Sequence, residues 1–441
     1  MNYSGSLSHS VASPEFNRSK ESALMFKDHA SGAGGPTPAA EYAGPASLAR
    51  GREFLSIPGP TNVPEVVLQA MHRPAVDIYA PELLETASRC LADLKAVFRT
   101  AGSTYIYISN GHGAWDAALS NTLSRGDRVL VLESGRFARG WGDHGNLLEL
   151  NIEILPGDWR RAVDPAALEA RLRADTAHEI KAVLVVQIDT ASGVVNDVPA
   201  IRAAIDASKH PALLMVDGIA SIGCMRFEMD EWGVDVALTG SQKGLMMTPG
   251  LSFVAASPKA KTAHKKANLR TSYWDWTARD MPESYRMFCG TAPEHMLFGL
   301  RASLGLLFSE GLEAAWARHL ALAAATRAAV EAWSTGGALE FNIRNPAERS
   351  PSVTTILTPG FDPERLRGFA RDHCGVILGS GIGDLAGKAF RIAHMGYANA
   401  PMVLGTIGAT EVALRALGIP HGEGGTQAAV VALGEHFGAS R

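Results

Sequence analysis

Cysteine is scarce in this chain, with four in 441 residues, and Cys90, Cys224, Cys289 and Cys374 lie far apart with no Cys-x-x-Cys pair. No His or Cys stands at zinc-ligand spacing either, so a disulfide framework and a structural metal site are not expected. Long apolar runs are also missing. Runs such as Ala182 to Val186 and Ala212 to Val216 are strand-sized, far below the roughly 20 residues that cross a bilayer. Nor is there an excess of positive charge. Lys and Arg number 41 against 45 Asp and Glu, for a formal net charge of -4, so no global field exists to hold a polyphosphate backbone. These absences set the expectation of a cytoplasmic protein whose partners are neither nucleic acid nor membrane.

Residues 1–50 have few large aliphatics and are rich in Ser, Gly, Ala and Pro, as in Ser-Gly-Ala-Gly-Gly-Pro-Thr-Pro at 31–38. That composition is expected of a flexible N-terminal tail. A secretory signal needs an unbroken apolar stretch, and a transit peptide needs arginine without acid. The segment has no such stretch, and it sets Arg18 and Arg50 against Glu15, Glu21, Asp28 and Glu41.

The rest of the chain is well supplied with apolar residues. Hydrophobic residues make up 46% of the whole and charged residues 20%, enough for a large core. Short β-branched runs alternate with helical patterns. Expected strands are Tyr105 to Ser109, Arg128 to Glu133, Asn151 to Leu155, Ala182 to Ile188, Ala212 to Asp217 and Val236 to Thr239. Expected helices are Ala114 to Leu123, Gly140 to Leu148, Pro165 to Ala174 and Val198 to Ser208. This order specifies an α/β fold, a mostly parallel sheet with helices on both faces. Val183-Leu184-Val185-Val186 lacks polar alternation because such strands are buried on both sides. After a long helical region around Glu294 to Trp333, strands near Val353 to Leu357 and Ala389 to Ile392 flank a helix at Pro363 to Asp372. The expected organisation is the tail at 1–50, a large α/β domain with an N-terminal arm at 51–324, and a smaller C-terminal α+β domain at 325–441.

Ligands of open parallel sheets gather at the carboxyl ends of the strands. There the chain places Asn110-Gly111-His112-Gly113, Ser134-Gly135-Arg136-Phe137, Asp189-Thr190-Ala191-Ser192-Gly193, Asp217-Gly218 and Ser241-Gln242-Lys243. Asn110 to Gly113 opens a helix with small residues, which leaves backbone N–H groups for a phosphate, although an ordinary strand-to-helix turn looks the same. Asp217 closes an apolar strand, where a carboxylate needs a cationic N–H partner unless it is a plain turn or cap acid. Lys243, at a strand exit, is accessible for an imine with an aldehyde, whereas most lysines are surface residues. A phosphate cradle, an acid able to protonate a pyridine nitrogen and a Schiff-base lysine together are what pyridoxal phosphate requires.

Longer segments carry a family likeness. They are His210-Pro-Ala-Leu-Leu-Met-Val-Asp217-Gly, Asp-Glu-Trp-Gly-Val-Asp at 230–235, Thr-Gly-Ser-Gln-Lys243-Gly, Ile-Pro-Gly-Pro-Thr-Asn-Val-Pro at 57–64, Glu-Gly-Leu-Glu-Ala-Ala-Trp-Ala-Arg-His at 310–319 and Ala-Gly-Lys-Ala-Phe-Arg391-Ile-Ala-His-Met-Gly at 386–396. They resemble the class V aminotransferases among the fold-type I pyridoxal phosphate enzymes, nearest to the serine–glyoxylate and alanine–glyoxylate branch. The likeness runs from about residue 54 nearly to the C-terminus.

The resemblance implies a pyridoxal 5′-phosphate-dependent aminotransferase with Lys243 as Schiff-base lysine and proton carrier, and Asp217 as partner of the pyridinium nitrogen. Asn110, Gly111 and His112 correspond to the phosphate turn, Phe137 to an aromatic stacked on the cofactor, and Thr190 to a hydroxyl near its 3-oxygen. Gln242 corresponds to a phosphate ligand, and Arg391 to the two-pronged grip on the substrate carboxylate. Thr291 corresponds to a residue that reaches the neighbouring subunit's phosphate, implying a homodimer with shared active sites. The implied substrates are a small L-amino acid, serine first, then alanine or aspartate, and a 2-oxo acid, glyoxylate or pyruvate.

Some positions depart from that pattern. Asn110 stands where Ser is usual, Ile219-Ala220-Ser221 where Val-Ser-Ser is, and Phe288 and Gly290 lack the tyrosine hydroxyl that relatives have near Thr291. These changes bear on donor choice rather than cofactor capture. Tyr273-Trp274-Asp275-Trp276 reads as a packed interface cluster more than an entrance wall. Three other readings are weaker. Cysteine desulfuration needs an activated thiolate in a mobile loop, and no cysteine fits. A binding protein could keep the fold and the vitamer without turnover. Gly379-Ser-Gly381-Ile-Gly383 lacks the spacing of a dinucleotide fingerprint.

Overall fold

A computed structural model describes residues 47–281 and 284–438. The tail expected over 1–50 lies outside the described residues up to Ala46. In chain order the strands are β1 (Phe54–Ser56), β2 (Ser103–Ile108), β3 (Arg128–Leu132), β4 (Asn151–Leu155), β5 (Ile180–Val186), β6 (Ile188–Asp189), β7 (Val194–Val195), β8 (Leu213–Asp217), β9 (Val236–Gly240), β10 (Leu251–Ala256), β11 (Glu340–Phe341), β12 (Val353–Leu357), β13 (Val376–Ser380) and β14 (Ala389–Ala393).

The larger sheet has seven strands in the order β2-β10-β9-β8-β5-β3-β4. Neighbours are parallel except at β10, which runs antiparallel to both β2 and β9. Side chains alternate between two cores. Val183 and Val185 join Leu130, Leu132, Leu214 and Val216 on one face, while Ala182, Leu184 and Val186 join Val129, Val131 and Met215 on the other. Both faces are therefore apolar, and each fully buried Val or Leu contributes roughly 1.5–3 kcal/mol.

The strand expected over 182–188 is broken. β5 stops at Val186, and β6 leaves the sheet to pair with β7. The helix expected from Gly140 begins four residues earlier and spans Arg136–Leu147. The long helical region is two helices, Glu294–Glu310 and Leu312–Ser334, so residue 324 lies inside the second.

A smaller sheet, in the order β1-β13-β14-β12-β11, carries the C-terminal part. β1 lies parallel to β13, and the other pairs are antiparallel. The N-terminal arm thus supplies an edge strand to the C-terminal sheet and then runs back over the carboxyl end of β9, where the Thr61 N–H donates to the Gln242 carbonyl at 3.1 Å.

Candidate active site

A cavity of about 210 Å³ opens at the carboxyl ends of β5, β8 and β9, and Asn110, Gly111, His112, Phe137, Thr190, Asp217, Gln242 and Lys243 all line it. The chain brings these separately predicted residues together. A wider cleft of about 700 Å³ opens beside Trp159, Asn342 and Lys388 and contains none of them.

Asp217 ends β8 and is 2% exposed. Its Oδ1 accepts the Ile219 N–H at 2.7 Å, and its Oδ2 accepts the Trp115 indole N–H at 2.7 Å. Desolvation nevertheless dominates and holds the carboxyl up at about 7, with the two donors and the Lys243 charge pulling it down.

Lys243 follows β9, and its amine donates to the Pro58 carbonyl of the arm. A Cβ at Gly59, whose φ is +101°, would collide with that amine, so the arm can cover Lys243 only with glycine at this position. Burial lowers the Lys243 pKa to about 8, the Arg391 charge adds to this, and Asp217 opposes it. At neutral pH a useful fraction of the amine is therefore neutral.

Two helices point their N-termini at the cavity. The helix Gly111–Thr122 is capped locally, since Asn110 Oδ1 accepts the N–H groups of His112 at 3.1 Å and Gly113 at 3.4 Å. Its small residues Ala114, Ala117 and Ala118 let it lie close on the sheet. Burial lowers the His112 pKa, and the nearby His144 and Arg136 lower it further.

The helix Arg136–Leu147 has no local cap. Its first N–H groups, those of Phe137 and Ala138, donate to Asp189 Oδ2 at 2.9 and 3.0 Å. The other oxygen of Asp189 accepts the Ala191 N–H at 3.0 Å. A Cβ at Gly135 would sit inside this carboxylate. Asp189 thereby sets the position of Phe137, and sequence reasoning missed it: the residue was visible at a strand exit, but its partners lie 52 and 51 residues away.

Arg391, on β14, is 7% exposed and stands behind Thr190, not in the cavity wall. Its Nε donates to the Ser380 carbonyl at 2.6 Å and its Nη1 to the Thr190 carbonyl at 2.9 Å. Burial lowers its pKa to about 10, so it remains a cation at neutral pH, and among the described residues Nη2 has no hydrogen-bond partner.

Thr291 is exposed and does not line this chain's cavity. Trp274 and Trp276 pack within the chain, on Tyr107 at 5.2 Å and Tyr105 at 5.3 Å, so that aromatic segment braces β2. Burial raises the thiol of Cys90 to about 12 and also raises those of Cys224 and Cys374, the reverse of what an activated thiolate needs. Sequence reasoning also missed Trp115. Its signal was the spacing of four from Gly111, which puts both on one helical face.

This fold and these groups fit the class of fold-type I aminotransferases. Residues 54–389 match the family described as Aminotransferase class-V, and the chain belongs to that family. It is 40% identical over 379 residues to the serine–glyoxylate aminotransferase of Arabidopsis thaliana, covering 84% of this chain and 92% of the relative. It is also 40% identical over 387 residues to the L-aspartate–glyoxylate aminotransferase of Paracoccus denitrificans, covering 87% and 96%. The crystal structure of the ureidoglycine–glyoxylate aminotransferase from Bacillus subtilis superposes with a TM-score of 0.80 at 26% identity, over 87% of this chain and 99% of that one.

The family implies pyridoxal 5′-phosphate, and the residues present fit it. One cavity offers a helix N-terminus at Gly111 and His112 for a phosphate, a buried carboxyl at Asp217 for a ring nitrogen and the Lys243 amine for an aldehyde, and the Gln242 side-chain NH2 group can donate to the phosphate once its amide turns to face it. Among the described residues, no cluster of His, Cys, Asp and Glu could hold a metal ion, and no helix is long and apolar enough to cross a membrane.

Proposed function

We propose that this aminotransferase moves the amino group of a small L-amino acid (serine, aspartate or alanine) to glyoxylate, giving glycine and a 2-oxo acid. The observation that carries the reading is the single cavity holding both a buried carboxyl at 217 and a lysine of lowered pKa at 243. The glyoxylate enzymes among its 40% identical relatives support the acceptor.

In this reading pyridoxal 5′-phosphate, bound through Lys243, supplies an electron sink for the substrate's α-carbon. The N-terminus of the helix Gly111–Thr122, with Asn110, Gly111, His112 and Gln242, holds the phosphate. Phe137 would pack on the cofactor's ring, and the Thr190 hydroxyl would donate to its oxygen. Asp217, as a carboxylate, would hold a proton at the ring nitrogen, and the Lys243 Nζ, as a neutral amine, would take the substrate's α-proton and carry it. The partnerless Nη2 edge of Arg391 takes the substrate carboxylate. Thr291 completes the phosphate site of a second copy, so the working unit is a homodimer. The chain works in the cytoplasm, as two lobes, 51–324 and 325–441.

The test is a half-reaction screen. The protein loaded with pyridoxal 5′-phosphate should be yellow, and serine, aspartate or alanine should bleach it with release of a 2-oxo acid. Glyoxylate should then restore the colour and release glycine, with pyruvate as the competing arm. Colour that persists across the whole donor panel would support a binding protein instead, and restoration by pyruvate alone would replace glyoxylate as acceptor. The variant Lys243→Ala should lose turnover and keep the fold.

A further inference from the structure

We propose that Trp115 is the positioning residue of Asp217, its indole N–H holding the carboxylate in the rotamer that faces the cofactor's ring nitrogen. The inference rests on the reading of Asp217 given above, but the contact can be tested without any cofactor.

The donor and the acceptor come from different elements, the helix Gly111–Thr122 and the end of β8, and both residues are nearly inaccessible, at 1% and 2% exposed. The 2.7 Å bond is directional. Indole is a donor with no acceptor lone pair, so at this oxygen it can stabilise the carboxylate but cannot accept a proton from the neutral acid. The neighbouring buried indoles of Trp141 and Trp276 have no hydrogen-bond partner, so burial of an indole in this core does not by itself supply one.

The ring is held on several sides. Trp141 stacks with it at 6.1 Å, and the His112 ring at 4.4 Å and the His144 ring at 5.3 Å meet it edge-on. A ring so confined delivers its N–H with little loss of side-chain freedom.

Several charged groups face Asp217. Asp189 on β6 pushes its pKa up and Lys243 after β9 pulls it down. The helix that carries Trp115 also brings His112 to the cavity, and burial keeps that imidazole neutral. The Ile219 N–H is the remaining direct donor. Among the described residues, Trp115 is thus the one side chain that opposes desolvation by a direct hydrogen bond.

The experiment follows the carboxyl C=O stretch of Asp217 by infrared spectroscopy against pH in the cofactor-free protein, with Asp217→Asn identifying the band. In Trp115→Phe, and in a variant carrying benzothienylalanine at 115, which keeps the indole shape without its N–H, the midpoint should rise by about one pH unit, a tenfold change in proton affinity. Both variants should also bind pyridoxal 5′-phosphate about tenfold more weakly than wild type at pH 8, and this difference should vanish in an Asp217→Asn background. An unchanged midpoint in the benzothienylalanine variant would overturn the proposal, as would weakened binding in Trp115→Phe alone, which would mark Trp115 as packing only. A wild-type protein that takes up no pyridoxal 5′-phosphate would refute the cofactor reading and leave the infrared result to decide the role of Trp115.

Discussion

Asp189 and Asp217 are both buried carboxylates at the same cavity, yet their surroundings differ in kind. Three backbone N–H groups from two segments of chain donate to Asp189, with Arg391 nearby as a counter-charge. Asp217 has one backbone donor and one indole, and it faces open space. The first acid is used up in holding the helix Arg136–Leu147 in place. The second is held ready for something the protein does not itself provide. Burial raises the pKa of both carboxyls, and the difference lies in the number of donors, three backbone N–H groups at Asp189 against one at Asp217.

The contrast predicts opposite responses to neutralisation. The largest effect belongs to Asp217. Its folded pKa of about 7 lies above the ordinary 3.8, so between those values the folded chain keeps a proton that the unfolded chain releases, and stability falls as pH rises through that window. Relative to wild type, cofactor-free Asp217→Asn should therefore gain stability from about pH 4 to pH 7, by on the order of 4 kcal/mol, read from denaturant unfolding at each pH. A gap that does not change with pH would erase the contrast.

Next comes Gly135→Ala, which forces a methyl into the Asp189 carboxylate. A loss of about 3 kcal/mol is expected in the same unfolding assay. Asp189→Asn should cost about 1–3 kcal/mol at pH 7, because an amide cannot accept all three N–H groups and leaves one buried and unpaired. A stabilised Asp189→Asn would place it in the same category as Asp217.

The smallest effect is at the locally capped helix. Asn110→Ala should cost about 1 kcal/mol, and Asn110→Ser, which restores an oxygen cap, only a few tenths. Thermal denaturation of the two variants side by side checks this. If Asn110→Ala cost as much as Gly135→Ala, the local and remote caps would carry equal weight.

The same distinction separates what could be read in the sequence from what could not. Asn110, Asp217 and Lys243 were visible because each stands just past the end of a strand or closes one, and Asn110 also caps its own helix within three residues. Asp189 was passed over beside Thr190 because its role depends on Phe137 and Ala138 across the sheet. For the same reason the helix start at Arg136 was missed: nothing between 134 and 137 supplies a cap. β10, Leu-Ser-Phe-Val-Ala-Ala, was missed because a strictly alternating βα reading leaves no place for a reversed strand between β9 and β2. The break at Gln187 was hidden by the apolar character of Ile188, which belongs to a different core from Val186. The arm was read as an extension of the large domain, and only its pairing with β13 shows that it joins the smaller sheet before covering Lys243.

The central claim is that the amine at 243 is the group that captures the cofactor. Borohydride reduction of the protein loaded with pyridoxal 5′-phosphate, followed by peptide mass spectrometry, tests it directly. A phosphopyridoxyl adduct on the peptide containing Lys243, absent from Lys243→Ala, is the predicted result. An adduct on another lysine, or the same labelling in the variant, would contradict it.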